Sequence, residues 1–116
     1  MTDREMLELA ARAAGIKGKV INAEGLGAWI PMPGASSAVW NPLDDDGDAL
    51  RLAVKLELIL CVRREGVTDA TMRAPRTGMT PYLSFLEQHK DDPYAATRRA
   101  IVRAAAEIGR QMEGPT

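Results

Sequence analysis

The sequence is poor in the residues that catalysis and metal binding draw on most. It contains one cysteine, Cys61, so no intrachain disulfide can form, and a reducing, cytoplasmic setting is the expectation. It contains one histidine, His89. A His-based metal site or a Ser-His-Asp triad would rest wholly on that residue, which sits beside Lys90, Asp91 and Asp92 with no Gly-x-Ser-x-Gly elbow anywhere in the chain. A solvated loop histidine is the expectation. There is no P-loop, no Gly-x-Gly-x-x-Gly turn and no Cys-x-x-Cys pair. Aromatic residues are scarce, one Phe, two Tyr and two Trp, which argues against a platform for stacking bases. Neither sign of charge prevails. The 15 basic and 16 acidic residues leave a net charge of −1, against both the basic excess of a nonspecific DNA binder and the acidic excess of a DNA mimic. No apolar run approaches the ~18 residues of a membrane span, and Met1-Thr2-Asp3 leads into a polar-apolar pattern rather than a signal-peptide core.

What is present describes a globular chain. Hydrophobic residues make up 46% and charged residues 27% of 116 positions, read as a single domain over residues 1–116. "TDREMLELAARAAG" predicts a helix: Thr2 or Asp3 caps it, Met6, Leu7, Ala10, Ala13 and Ala14 form its apolar face, and Gly15 stops it. "KVINAEGLGAWIPMPG" predicts short strands near Val20–Ala23 and Ala28–Pro31 around a turn at Glu24–Gly27, ended by Pro31, Pro33 and Gly34. A further extended piece is expected at Ser37–Trp40. Ala49, Leu52, Ala53 and Leu56 fall at helical spacing, with Leu50 and Val54 widening the apolar surface. "LELILCVRR" is apolar on both alternating sets, the pattern of a strand buried on both faces, which makes Cys61 a core thiol. A turn at Glu65-Gly66 and the β-prone "VTDATMR" predict its antiparallel neighbour. Ala74–Lys90 reads as a loop with a short helix over Pro81–His89, anchored by Leu83, Phe85 and Leu86. The last helix opens on Asp92-Pro93, carries a stripe of Ile101, Ala105, Ile108 and Met112 widened by Thr97 and Ala104, and ends at Gly114-Pro115.

The expected order is α-β-β-α-β-β-(α)-α. The class is α+β, with a mostly antiparallel sheet of three to four strands covered by helices on both faces as an αβα sandwich.

Asp44, Asp45, Asp46 and Asp48 are the densest cluster of chemistry-bearing residues. A calcium loop of the EF-hand kind fails here: with Gly47 at its sixth position, Pro42 and Ala53 fall at ligand positions one and twelve. Asp44 or Asp45 as a helix N-cap, with the other acids favoured by the helix dipole, accounts for the cluster. Arg98, Arg99, Arg103 and Arg110 read as a solvated helix face, interspersed with Glu107 and Glu113. Trp29 and Trp40 are expected to cover a core edge, and an exposed tryptophan would anchor a partner.

"WNPLDDDGDALRLAVKL" and "DPYAATRRAIVRAAAEIG" resemble the phage ABA-sandwich domain family, small proteins of tailed phages and prophages. The shared scheme is an N-terminal helix, a Trp-x-Pro element with acids leading into a helix, a strand pair, and an Ala- and Arg-rich last helix opening at an aspartate. The resemblance implies an α-β-α sandwich and a phage or prophage origin, hence the cytoplasm of a bacterial host cell. It supplies no catalytic residues, and no catalytic, metal or cofactor site is assigned.

The expected function is that of a non-enzymatic phage or prophage accessory protein acting on a host or phage protein, an anti-CRISPR inhibitor being the sharpest form of it. Trp40, Tyr82, Phe85, Arg99 and Arg103 are the expected partner-binding residues, and a homodimer through a sheet edge or the alanine-rich helix is compatible with the pattern. Two rival readings are a metal-dependent phosphodiester enzyme using Asp44, Asp46 and Asp48, and a DNA-binding regulator acting through the last helix.

Overall fold

A computed structural model describes residues 2–16, 18–23, 26–31, 40–73 and 82–112, with residues 19–23 and 26–31 described by their backbone alone. Helix α1 (Asp3–Ala14) opens at Thr2, whose Oγ1 accepts the Glu5 amide at 3.1 Å, and closes at Gly15, left-handed at φ 74°. Strands β1 (Gly18–Ala23) and β2 (Leu26–Pro31) form an antiparallel hairpin against α1, with Gly18 opposite Pro31 and Ala23 opposite Leu26. Helix α2 (Asp46–Lys55) follows, then β3 (Ile59–Arg63), β4 (Val67–Arg73), β5 (Tyr82–Gln88) and α3 (Pro93–Met112).

Among the described residues the main sheet is three-stranded and antiparallel in the order β3-β4-β5. Gly66, at φ 95°, turns β3 into β4. The hairpin β1–β2 is a separate sheet, so the α+β class holds while the sheet has three strands and the order is α-β-β-α-β-β-β-α. The helix predicted over Pro81–His89 is β5. Its period is two: Leu83 and Phe85 lie opposite the buried Met72 and Ala70 of β4, and the strands' pairing outweighs the helical Leu83–Leu86 spacing.

Helix α3 organises the core. Its amides at Tyr94 and Ala95 both donate to Asp92 Oδ1 at 3.0 Å, and Pro93 opens its first turn. The expected stripe is too narrow. Ala96, Ala100, Ile101, Val102, Ala104, Ala105, Ala106 and Gly109 are all buried, more than half the helix circumference, while Met112 is exposed. Ala100 and Ala104 meet Ala70 of β4, with Leu58, Leu60 and Phe85 around them. The other side of α3 packs Ile101, Val102, Ala105 and Ala106 against Met6 and Ala10 of α1 and Ala49, Leu52 and Ala53 of α2. The alanines let these elements approach closely. At Gly109 the approach is tightest: a Cβ there would stand 1.9 Å from the Leu9 carbonyl oxygen of α1.

Among the described residues the sheet is covered on one face only. Thr68, Ala70 and Met72 of β4 are buried under α3, whereas Ile59, Cys61, Tyr82 and Leu86 on the opposite face are exposed. The αβα layering is therefore corrected, together with the expectation that Leu58–Val62 is buried on both faces and that Cys61 is a core thiol. A doubly apolar strand has two physical origins, cover on both faces or an edge left for another chain, and among the described residues β3 has an open edge and an open face.

The expected extended piece at Ser37–Trp40 and the glycine-proline end of α3 at residues 114–115 lie largely or wholly outside the described residues, as does residues 74–81 of the expected loop.

Candidate functional site

Two members of the aspartate cluster shape the entrance to α2. Asp45 is the N-cap, accepting the Asp48 amide at 2.8 Å. Asp48 Oδ2 accepts the Asn41 amide at 3.0 Å, and its Oδ1 takes Arg51 at 2.8 Å. Asp46 pairs with Arg98 of α3 at 2.6 Å, and Asp44 is exposed. Asn41 Oδ1 accepts the Leu43 amide at 3.1 Å, turning the chain over the buried Pro42 into this helix. Asp45 and Asp48 share Arg51 while Asp46 turns to Arg98, and among the described residues no three His, Cys, Asp or Glu side chains are placed to hold one ion.

His89 is not a solvated loop residue, as had been expected. It is half-buried, with Nε2 2.7 Å from Thr68 Oγ1, which in turn lies 2.9 Å from Thr97 Oγ1. Thr68 is fully buried, so this chain satisfies a hydroxyl that burial would otherwise leave unpaired, and it ties β4 to α3 and to the turn after β5.

The arginines of α3 work within the chain. Arg98 donates to Asp46 and to the Leu43 carbonyl at 2.9 Å; Arg99 pairs with Asp3 of α1 at 3.1 Å; Arg110 pairs with Glu107. Arg110 holds the Glu107 carboxyl below the usual range by hydrogen bonding, against the opposing effect of burial, with Gln111 assisting. Arg103 Nη1 donates to the Leu86 carbonyl at 2.9 Å and to Glu87 Oε2 at 2.5 Å, and its guanidinium lies 5.4 Å from the centre of the Phe85 ring.

Of the five expected partner-binding residues, Phe85, Arg99 and Arg103 line one shallow cavity of about 390 Å³, where Glu87 and Glu107 balance the arginines. Tyr82 is exposed on the opposite face of the sheet, and Trp40 is half-buried against the α1–α2–α3 core. The side chain of Trp29 lies outside the described residues.

A more apolar opening lies elsewhere. Between the first turns of α2 and α3 and the edge strand β3 runs a groove of about 490 Å³, lined by Ala49, Leu50, Leu60, Val62, Tyr94 and Ile101 with the Asp46–Arg98 pair at its rim. Leu50 is 58% exposed, Val62 60% and Tyr94 68%; Val54, one turn beyond Leu50, is 69% exposed. Among the described residues no strand pairs with the outer edge of β3. Its segment Ile59–Val62 carries no charge and no proline, and the first charge beyond it, Arg63, is drawn to Asp69 at 2.8 Å across the outer face. An unprotected edge beside an exposed apolar groove is a surface suited to an added strand.

The sequence carried a trace of this groove. Leu50 and Val54 stand four apart and outside the Ala49–Leu52–Ala53 stripe, an apolar surplus that α2 does not need for its own core. Tyr94 gave no such trace, since it stands one turn ahead of the stripe expected on α3.

No protein-family model matches the chain, and no curated protein matches it. Among the described residues no helix is long and apolar enough to cross a membrane.

Proposed function

We propose that the protein works by binding another protein, which lays an extended apolar segment along β3 and into the adjoining groove. The observation that carries this is the conjunction at one place of a strand edge, uncharged and among the described residues unpaired, with three large apolar side chains, Leu50, Val62 and Tyr94, each more than half exposed. Main-chain hydrogen bonds to β3 supply affinity in such an arrangement, and the groove selects side chains at alternate positions. The net charge of −1 favours a partner recognised by shape and apolar contact over one drawn in by long-range attraction. Engagement of Arg98, Arg99, Arg103 and Arg110 within the chain speaks against the nucleic-acid reading, and pairing of Asp45, Asp46 and Asp48 with arginines speaks against the metal-dependent one.

The resemblance to small phage proteins extends this reading to an accessory protein that acts on a host or phage protein in the bacterial cytoplasm. Its sharpest form is an inhibitor of a host defence complex, such as an anti-CRISPR, that covers a protein surface.

Panning a displayed library of random peptides on the full chain tests the binding surface. The expected winners are extended, alternately apolar peptides whose binding is lost in Val62→Glu and kept in Arg99→Ala. Enrichment of peptides that bind Val62→Glu equally well would place the surface elsewhere.

A further inference from the structure

We infer that the segment added to β3 is β3 of a second copy of this chain, so that two three-stranded sheets join antiparallel across a two-fold axis into one of six strands. This rests on the reading of the β3 edge as a docking surface and names its occupant. A two-fold axis perpendicular to the sheet sets residues of the same face opposite one another. With the axis at Leu60, Ile59 faces Cys61 of the copy, Leu58, just ahead of the strand, lies across from its Val62, and Glu57, in the turn before the strand, is left on the side of its Arg63. Apolar thus meets apolar, and the charges that flank the strand lie toward opposite charges. Shifting the axis to Cys61 instead sets Leu58 against Arg64 and Glu57 against Glu65, an apolar–charge mismatch and a like-charge pair. Of these two registers the first is the self-complementary one.

Three features of the chain favour a copy over a foreign strand. Glu57 is exposed, held at φ 55° just outside α2, and Arg63, though drawn to Asp69, keeps about half of its side chain (52%) in solvent, so both are available at the two ends of the pairing. A net charge of −1 puts no long-range repulsion between copies. The exposed apolar side chains lie on the β3 side of α2 and α3, where the axis would bring the same groove of the partner copy alongside and begin to fill the ~800 Å² per partner of a standard interface. The opposite edge, β5, has no such fit, because Arg103 and Glu87 occupy it.

The test is sedimentation equilibrium of the full chain across a wide concentration range, with folding followed by circular dichroism. The wild type is expected to be a dimer. Val62→Glu is expected to be a folded monomer, and Ile59→Lys, at a solvent-exposed position, gives the same readout should Val62→Glu fail to fold. Glu57→Arg is expected to weaken dimerisation roughly tenfold by bringing a charge of the same sign toward Arg63 of the copy, and Glu57→Gln is expected to weaken it less. A wild type that stays monomeric, or a dimer that Val62→Glu and Ile59→Lys leave intact, would overturn the inference. A monomeric wild type that still selects extended peptides at β3 would leave the binding surface standing and remove only the second copy as its occupant.

Discussion

The two edges of the main sheet are treated in opposite ways. At β5, Arg103 reaches down from α3, takes the Leu86 carbonyl, pairs with Glu87 and covers the Phe85 ring, so that a charge sits where another chain would have to pair. At β3 nothing comparable is found among the described residues: Ile59 to Val62 are uncharged, and the nearest helix residues, Leu50 and Tyr94, are exposed and apolar. Charged edges are the usual protection against unwanted strand pairing. A chain that guards one edge and leaves the other bare has an edge to use. The same contrast runs through the helices. On the α1–α3 side the backbones touch at Gly109 and the interior is closed, while on the α2–β3 side large side chains stand in solvent.

The contrast is sharpened first at its closed end. Gly109→Ala sets a methyl group against the Leu9 carbonyl, a backbone atom that can move only if α1 moves. The expected loss is about 3 kcal/mol, the upper part of the range for overpacking, measured by urea unfolding. Asp45→Ala removes the N-cap of α2 and is expected to cost about 1 kcal/mol in the same measurement. It loosens the roof of the groove without touching the groove's lining.

Arg103→Met is expected to cost somewhat less, about 0.5–1 kcal/mol, since the pair it breaks is partly solvated. Its more telling consequence is that β5 becomes a second bare edge, and light scattering should rise with concentration as open-ended sheet pairing sets in. A variant that stays as clear as the wild type would mean that Arg103 does not guard β5. At the open end, Val54→Thr and Leu50→Ser are expected to change stability by less than ~0.5 kcal/mol, because both side chains are already in water.

The smallest expected effect is acid-dependent. Arg110 keeps the folded-state Glu107 carboxyl below its ordinary value of 4.5. The contribution is therefore complete above that value, where the unfolded chain's glutamate is also ionised, and it fades as the pH falls through the lowered folded value. Stability measured against pH for the wild type and Glu107→Gln should converge in acid below about pH 4.5 and stay apart at neutrality.

Where local chemistry decided structure, the sequence was legible. Thr2, Asp45 and Asp92 cap the helices they precede, Gly15 ends α1, Gly66 turns the β3–β4 hairpin, and the aspartate cluster is a helix entrance. Non-local choices were not legible. Residues 82–88 have both helical and alternating spacing, and only β4 beside them selects the strand. The width of α3's buried surface depends on three neighbours at once. Above all, an apolar strand such as Ile59–Val62 reads the same whether a helix covers it or another molecule does, because its composition records burial without recording by whom. The arginines expected to meet a partner were equally ambiguous: Arg99 and Arg103 find Asp3 and Glu87 through folding, at sequence separations no local pattern contains.

Hydrogen–deuterium exchange of the full chain at low and at high protein concentration tests the difference between the edges most directly. The account predicts that the amides of β3 gain protection as concentration rises while those of β5 do not change. Equal behaviour of the two edges, or protection gained at β5 alone, would contradict it.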